Sequence, residues 1–182
     1  MKADVALEAL QCGAHIINDI SGFKADPDMA KVVREFNAAC ILMHMRGAPQ
    51  TMQQHVNYED LIEDIIRELG QSILIACKQG ISRQSIIVDP GIGFAKTAEQ
   101  NNEILRRLAD FSRLDMPLLV GLSRKSFIGK IVQKDMPHER VFGTAAAIAL
   151  AVERGARFIR VHDVAEMKDV ALVTDAIMKQ GT

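Results

Sequence analysis

The sequence has 182 residues, enough for one domain with a sizeable core and too few for two ordinary ones. With 48% apolar residues, 25% charged residues and a formal charge of −1, the composition excludes a disordered chain and carries no basic surplus for nucleic acid or a membrane surface. The longest apolar run, Ala145 to Val152, falls far short of the roughly 20 residues of a membrane span, and Met-Lys-Ala-Asp at the start is not the apolar stretch of a secretory signal.

The elements follow from hydrophobic period, taken in order along the chain. Residues 2 to 12 read as a helix with Val5, Ala6, Ala9 and Leu10 on one face, ended by Gly13. A strand over 15–18 follows, then a helix over 28–36 carrying Met29, Val32, Val33 and Phe36, then a strand over 39–43. The clearest helix runs from 58 to 79, with Asn57 as N-cap, Gly80 past its end, and an apolar face of Leu61, Ile62, Ile65, Ile66, Leu69 and Ile73. A strand over 85–88, a helix over about 100–112, a strand over 117–121, a helix over 139–154, a strand over 157–161 and a helix over 164–179 complete the order. The strands are continuous apolar runs, as suits strands covered on both faces. The expected fold class is therefore α/β, with five parallel strands, six helices and right-handed crossovers. A closed (β/α)8 barrel needs eight strands, so the pattern fits either an open doubly wound sheet or an incomplete barrel.

Three cysteines, Cys12, Cys40 and Cys77, stand far apart among apolar residues without paired spacing, which points to buried, reduced thiols in a cytoplasmic protein. His15, His55 and His138 have no ligand-like spacing. Few aromatics and no Trp argue against a base-stacking platform.

Ligands of parallel α/β folds bind beyond the carboxyl ends of the strands, and here every strand end is polar. The groups are Asn18-Asp19, His44 and Arg46, Asp89-Pro-Gly91, Ser123-Arg-Lys-Ser126, and Arg160-Val-His-Asp163. Two roles fit Asp89: a ligand carboxylate next to a Gly91-Ile-Gly93 turn that admits close approach, or a cap for the turn at Pro90. Arg160 and His162, two apart on a strand, share a face and would suit a phosphate or diphosphate; the plain alternative is an ion pair with Asp163 or Glu166. Asp163 is expected to cap the last helix. The Ser123–Ser126 block lacks P-loop glycines and fits either an anion contact or a solvated basic turn.

These blocks, His15-Ile-Ile-Asn-Asp-Ile20, Leu42-Met-His-Met-Arg46 with Pro49-Gln-Thr-Met52, Asp89-Pro-Gly-Ile-Gly-Phe94 with Lys96, Gly121-Leu-Ser-Arg-Lys-Ser126 and Arg160-Val-His-Asp163, together resemble the dihydropteroate synthases of bacterial folate synthesis, in order and over essentially the whole chain. The family is a (β/α)8 TIM barrel that joins 4-aminobenzoate to a dihydropterin-methyl diphosphate and releases diphosphate. The resemblance implies that Asn18 and Asp89 hydrogen-bond the amino-pyrimidine edge of the pterin, and that Lys125 reaches its carbonyl and ring nitrogen. It implies that Ile20, Met43, Phe94 and Gly121 wall the ring, and that Arg160 packs over it. Arg160 and His162 would hold the departing diphosphate, Ser126 would lie near the aminobenzoate, and Lys96 would help position the ligand. Lys125, Arg160 and His162 are thus the expected catalytic residues. The resemblance also implies magnesium, a cytoplasmic homodimer formed through the later helices, and a sulfonamide target. The basic pair Arg124-Lys125 favours a synthase over the corrinoid-dependent pterin-binding barrels.

The family begins with about three more βα units, including the asparagine that helps bind magnesium. Residues 1–182 therefore read as a pterin-binding domain, the C-terminal two-thirds of such a barrel. The expected cause is truncation, with strands supplied by a second chain or a swapped dimer as alternatives. A chain with two open sheet edges is expected to show little or no turnover alone, so the alternative function is an inactive pterin-binding or oligomerisation module.

Overall fold

A computed structural model describes residues 1–178. The elements are α1 (Ala3–Gln11), β1 (Ile16–Asp19), α2 (Met29–Glu35), β2 (Ala39–Met43), α3 (Leu61–Lys78), β3 (Ile86–Asp89), α4 (Ala98–Arg106), β4 (Leu118–Val120), α5 (Ser126–Val132), α6 (Val141–Glu153), β5 (Ala156–Ile159) and α7 (Val164–Met178). The five strands form one parallel sheet in the order β1-β2-β3-β4-β5, so each is joined to its neighbour by a helical crossover. Strands in sequential order with helices on one side are the geometry of barrel staves, not of a doubly wound sheet, whose order reverses.

The two faces of the sheet are buried by different partners. Ile17, Cys40, Leu42, Ile86, Val88, Leu118 and Val120 point outward, into the main core beneath the helices. Ile41, Ile87 and Leu119 point the other way and form a small second cluster on the concave face. That face is open at both flanks: Ile16 on β1 and Phe158 on β5 are 48% and 42% exposed.

The chief helix, α3, follows its sequence pattern: Leu61, Ile62, Ile65, Leu69 and Ile73 are buried. Its cap is Asp60, not Asn57. The Asp60 carboxylate accepts from the backbone N–H groups of Ile62 and Glu63, because the helix begins three residues later than the apolar period suggested. Among the described residues the α-helices number seven, not six. The additional α5 is only seven residues long, contains Gly129 and starts directly from the Ser123–Ser126 turn, so it carries little periodic signal. The segment expected as a single helix over 100–112 divides at Arg107 into α4 and a 3-10 stretch over Leu108–Leu114. β5 ends at Ile159, so Arg160 and His162 lie in the loop beyond it. Of the thiols, Cys40 is buried and Cys77 partly so. Cys12, expected to be buried, is exposed because α1 has ended and the chain turns away at Gly13. His15, His55 and His138 are all exposed, as ordinary surface histidines.

Candidate active site

Parallel pairing keeps paired residues on the same side of the sheet. Asn18 pairs with Ile41, Ile41 with Ile87, and Met43 with Asp89. Since Ile41 and Ile87 face the concave side, so do Asn18, Met43 and Asp89. Leu119 is on that side too and pairs with Phe158, so alternation carries Gly121 and Arg160 to the upper rim of the same face. A register irregularity at Leu118/Leu119 makes this possible, by placing an additional residue in β5 between Ala156 and Phe158. Thus Asn18, Met43 and Asp89 in β1 to β3, and Gly121 and Arg160 just past β4 and β5, share the carboxyl end of one concave surface. Ile20, half-buried, follows β1 at the same end.

Asp89 is the rim's buried charge. It is 6% exposed and accepts a 2.7 Å hydrogen bond from the Gly91 N–H. Burial pushes its carboxyl up to about 6, against the pull of that N–H and of Lys125, Lys96 and Arg160. Gly91, at φ +70°, has no room for a side chain: a Cβ there would run into the carbonyl oxygen of His44. The following loop is pinned by Asn101, whose side-chain oxygen accepts from the Gly93 N–H at 2.7 Å. A capping box of Thr97 and Gln100 then starts α4.

Lys125 stands at the N-cap of α5, and its ammonium lies 4.4 Å from the centre of the Phe94 ring. Its stem runs past Gly93, where a Cβ would sit 3.1 Å from Lys125 Cδ. Burial holds the Lys125 ammonium below its ordinary range, offset in part by Asp89. Ser126, the first residue of α5, is exposed and lines a cleft of about 290 Å³ with Gly93, Lys96, Asn101 and Lys130. Ser123 turns inward and its hydroxyl takes two contacts from His162: the backbone N–H at 3.1 Å and ring Nδ1 at 3.0 Å. Arg160 and His162 are both exposed.

Asp163 does not pair with Arg160 or His162. Its carboxylate takes Arg124, with Nε at 3.1 Å, so the first cation of the Ser123–Ser126 block is structural and the second faces the concave side. Arg124 reaches that pair from a positive-φ backbone at +60°, tied down by the Thr144 hydroxyl and by Arg140. Asp163 precedes α7 and its carbonyl accepts the first intrahelical bond from Met167 N–H, but its carboxylate, expected as the cap, serves Arg124.

Lys96 is 3% exposed, so it supports the site from beneath. It contacts His44 Nδ1 at 3.0 Å and donates to the Phe94 carbonyl at 2.9 Å. His44 Nε2 lies 3.0 Å from Glu68, which also holds Arg46. Arg46 stacks 4.0 Å from the centre of the Tyr58 ring, and Tyr58 donates to the Ala95 carbonyl at 2.9 Å. Glu68 is the residue that strand-end reasoning missed. Its signal was the polar stripe Asp64, Glu68, Ser72, spaced by four along the flank of the apolar face of α3, with Asp64 and Ser72 buried.

A cleft of about 630 Å³ runs along the free edge of β5 and shares only Arg160 with the predicted site. It marks an open sheet edge. Among the described residues there is no group of three or more His, Cys, Asp or Glu side chains placed to hold a metal, and Asp89 is ringed by cations. The donor set present does not fit a magnesium ion.

Residues 1–162 match the family model described as "Pterin binding enzyme". The chain is 48% identical over 178 residues to the dihydropteroate synthase of Synechocystis sp., covering 98% of this chain and 62% of that relative. It superposes on the crystal structure of dihydropteroate synthase from Stenotrophomonas maltophilia with a TM-score of 0.94 at 36% identity, covering all of this chain and 68% of the other. Against the Thermus thermophilus enzyme in complex with 6HMPPP the TM-score is 0.91 at 38% identity, covering 97% and 69%. The same enzyme in complex with 4-aminobenzoate gives a TM-score of 0.91 at 38% identity, covering 97% and 71%. The chain therefore spans about three-fifths of the curated relative's length, and its five strands are staves of the TIM barrel those structures share. A concave face whose rim gathers Asn18, Asp89 and Arg160, a family match over most of the chain and a superposition of this quality lead to one conclusion: the chain belongs to the pterin binding enzyme family.

Proposed function

We propose that this chain carries the pterin- and diphosphate-binding face of a dihydropteroate synthase, the enzyme that condenses 4-aminobenzoate with 7,8-dihydropterin-6-ylmethyl diphosphate. The observation that carries the reading is the convergence of Asn18, Asp89, Lys125 and Arg160 on one concave rim, with Asp89 buried among cations. The likeness to dihydropteroate synthases, among them the Thermus thermophilus enzyme in complex with 6HMPPP and with 4-aminobenzoate, supports it.

The chemistry follows from the donor set. A flat heterocycle rich in N–H groups fits between Met43, Phe94, Ile20 and Gly121, with its pyrimidine edge on Asp89 and Asn18. The Asp89 carboxylate accepts from adjacent N–H groups, so a ring without them would leave it buried and unpaired. Lys125 reaches the ring carbonyl. In the reaction the C–O bond to diphosphate breaks, and oxygen keeps the bonding pair. The amine nitrogen of 4-aminobenzoate then bonds the methylene carbon and gives up one of its two protons to the released diphosphate. Arg160 and His162 stabilise the charge that builds on the leaving oxygens, and Lys96, from beneath, keeps Asp89 in its accepting form. Ser126, beside the small cleft, orients the aminobenzoate. No step is assigned to magnesium. In this reading the protein acts in the cytoplasm on small molecules and assembles as a homodimer. The support for a dimer is the exposed apolar side of α6, where Phe142 is 88% and Leu150 43% exposed, while Ala147 and Ala151 of the same helix pack inward.

Calorimetry tests the reading. 4-Aminobenzoate should bind saturably only when the pterin diphosphate is present, and no binding of the pterin diphosphate to the chain would overturn it. A second reading, pterin binding without turnover, is favoured by the two sheet edges left open at β1 and β5. Pterin binding without diphosphate release on adding 4-aminobenzoate would select it.

A further inference from the structure

We infer that His44 and Glu68 are positioning residues for Lys96, fixing its ammonium beneath the Gly91–Phe94 loop so that it faces Asp89 and supports the ring wall at Phe94. The inference deepens the pterin reading and rests on it. Three elements meet here: His44 just past β2, Glu68 in the middle of α3, and Lys96 after the loop that follows β3. His44 is fully buried and both its ring nitrogens are used, with Lys96 Nζ 3.0 Å from Nδ1 and Glu68 Oε2 3.0 Å from Nε2. An ammonium has only donors and a carboxylate only acceptors, so one arrangement satisfies all three groups. Lys96 donates to Nδ1, and the Nε2–H donates to Glu68. This requires a neutral imidazole with its proton on Nε2. Lys96 spends a second proton on the Phe94 carbonyl at 2.9 Å, which ties the ammonium to the backbone of the ring-walling residue.

The surroundings fit the same arrangement. Burial brings Lys96 down to about 7, Asp89 and Glu68 pull it back up, and Arg46 and Lys125 oppose them, so it is an ammonium below that pH. His44 is faced by Glu68, Lys96 and Lys24, and Asp89 by Lys125, Lys96 and Arg160. Burial pushes His44 down to about 4, so it stays neutral at physiological pH as the arrangement demands. Glu68 cannot drift away from His44, because its other oxygen is clamped by Arg46. A buried ammonium beside Asp89 favours the ionised carboxylate, the form that can accept two N–H groups from a pterin.

Two measurements on this chain decide the inference. The first is ring ¹⁵N NMR of His44. At pH 5.5 to 6.5, where Lys96 is still an ammonium, it should show a proton on Nε2 alone, with an Nδ1 signal that moves in Lys96→Met; a proton on Nδ1, or an unmoved signal, would overturn the contact. The second is calorimetry with 7,8-dihydropterin-6-ylmethyl diphosphate from pH 5.5 to 8.5. Lys96→Met should raise the pH below which binding is lost by about one unit, about tenfold weaker binding within that range. Glu68→Gln should shift it the same way by less, and the double variant no further than Lys96→Met alone. A purely structural role would lower the folded fraction without moving this midpoint, and an unmoved midpoint in folded variants overturns the inference while leaving the pterin reading intact. If the unaltered chain binds no pterin diphosphate, the pterin reading itself fails, and the NMR result still decides whether the contact exists.

Discussion

Asp19 and Asp89 each end a strand and each is buried, yet they face opposite sides of the sheet. Asp19 pairs in register with Leu42, which belongs to the core beneath the helices, and Asp89 with Met43 on the concave side. Asp19 is satisfied by its own loop: its carboxylate takes the Ser21 hydroxyl at 2.7 Å, the Phe23 N–H at 2.7 Å and the Ser21 N–H at 3.3 Å. Burial pushes its carboxyl up, but these bonds, together with the Met1 ammonium 3.0 Å from Oδ1, more than offset that and hold it below its usual range. Asp89 has one local donor, Gly91 N–H, and burial leaves it near 6. One carboxylate is a finished structural anchor. The other keeps unused acceptor capacity and a ring of cations at a distance, the condition of a group awaiting a ligand.

The sharpest way to break this contrast is to neutralise each in turn. Asp89→Asn should weaken pterin diphosphate binding at least a hundredfold, because a buried charge-assisted contact is lost, about 3 kcal/mol, while denaturant melts show stability kept or raised. Asp19→Asn should do the reverse, costing about 1–3 kcal/mol of stability and leaving pterin affinity unchanged. Equal losses of affinity in both variants would erase the distinction.

A backbone version of the contrast compares glycines. Gly91→Ala places a methyl against the His44 carbonyl at φ +70° and should cost about 3 kcal/mol in chemical denaturation. Gly13→Ala, with φ +98° but open space around it, should cost about 1 kcal/mol.

The pH dependence of stability sharpens it further. Asp89 has a raised folded pKa, so between about 4 and 6 the folded chain holds a proton that the unfolded chain has lost, and its contribution to stability falls as pH rises through that window. Glu68 behaves oppositely. Burial alone would raise it, but the hydrogen bonds from His44 and Arg46 bring it to about 2, so its contribution is lost as pH falls from the ordinary carboxylate range toward 2. Denaturation at a series of pH values should therefore show Asp89→Asn gaining on the unaltered chain between about pH 4 and 7, and Glu68→Gln losing ground as pH rises from about 2 to 5. The smallest effect concerns the loop's exit: Thr97→Ala removes a helix cap and should cost about 1 kcal/mol.

Period and punctuation in the sequence were enough for the strands, the main helices and the polar strand ends, because each is a local pattern. Asn18, Asp89 and Arg160 were found as strand-end residues and Met43 and Gly121 through the family resemblance, and the register supplied what the sequence lacked, namely that all five share a side. The same rule could not separate Asp19 from Asp89, since facing depends on pairing with β2. α5 escaped because seven residues with an internal glycine show no period. The Lys96–His44–Glu68 chain escaped because its contacts join residues 52 and 24 apart, which no local pattern encodes. Arg124 looked equivalent to Lys125 and was not: its positive-φ backbone turns it to Asp163.

The central claim is that this concave rim holds a pterin by its pyrimidine edge. A crystal structure of the chain with 7,8-dihydropterin-6-ylmethyl diphosphate tests it directly. The ring's N–H edge should lie about 3 Å from the Asp89 carboxylate, with Lys125 on the ring carbonyl and the diphosphate toward Arg160 and His162. Density for the ligand along the free edge of β5, with Asp89 uncontacted, would contradict the account.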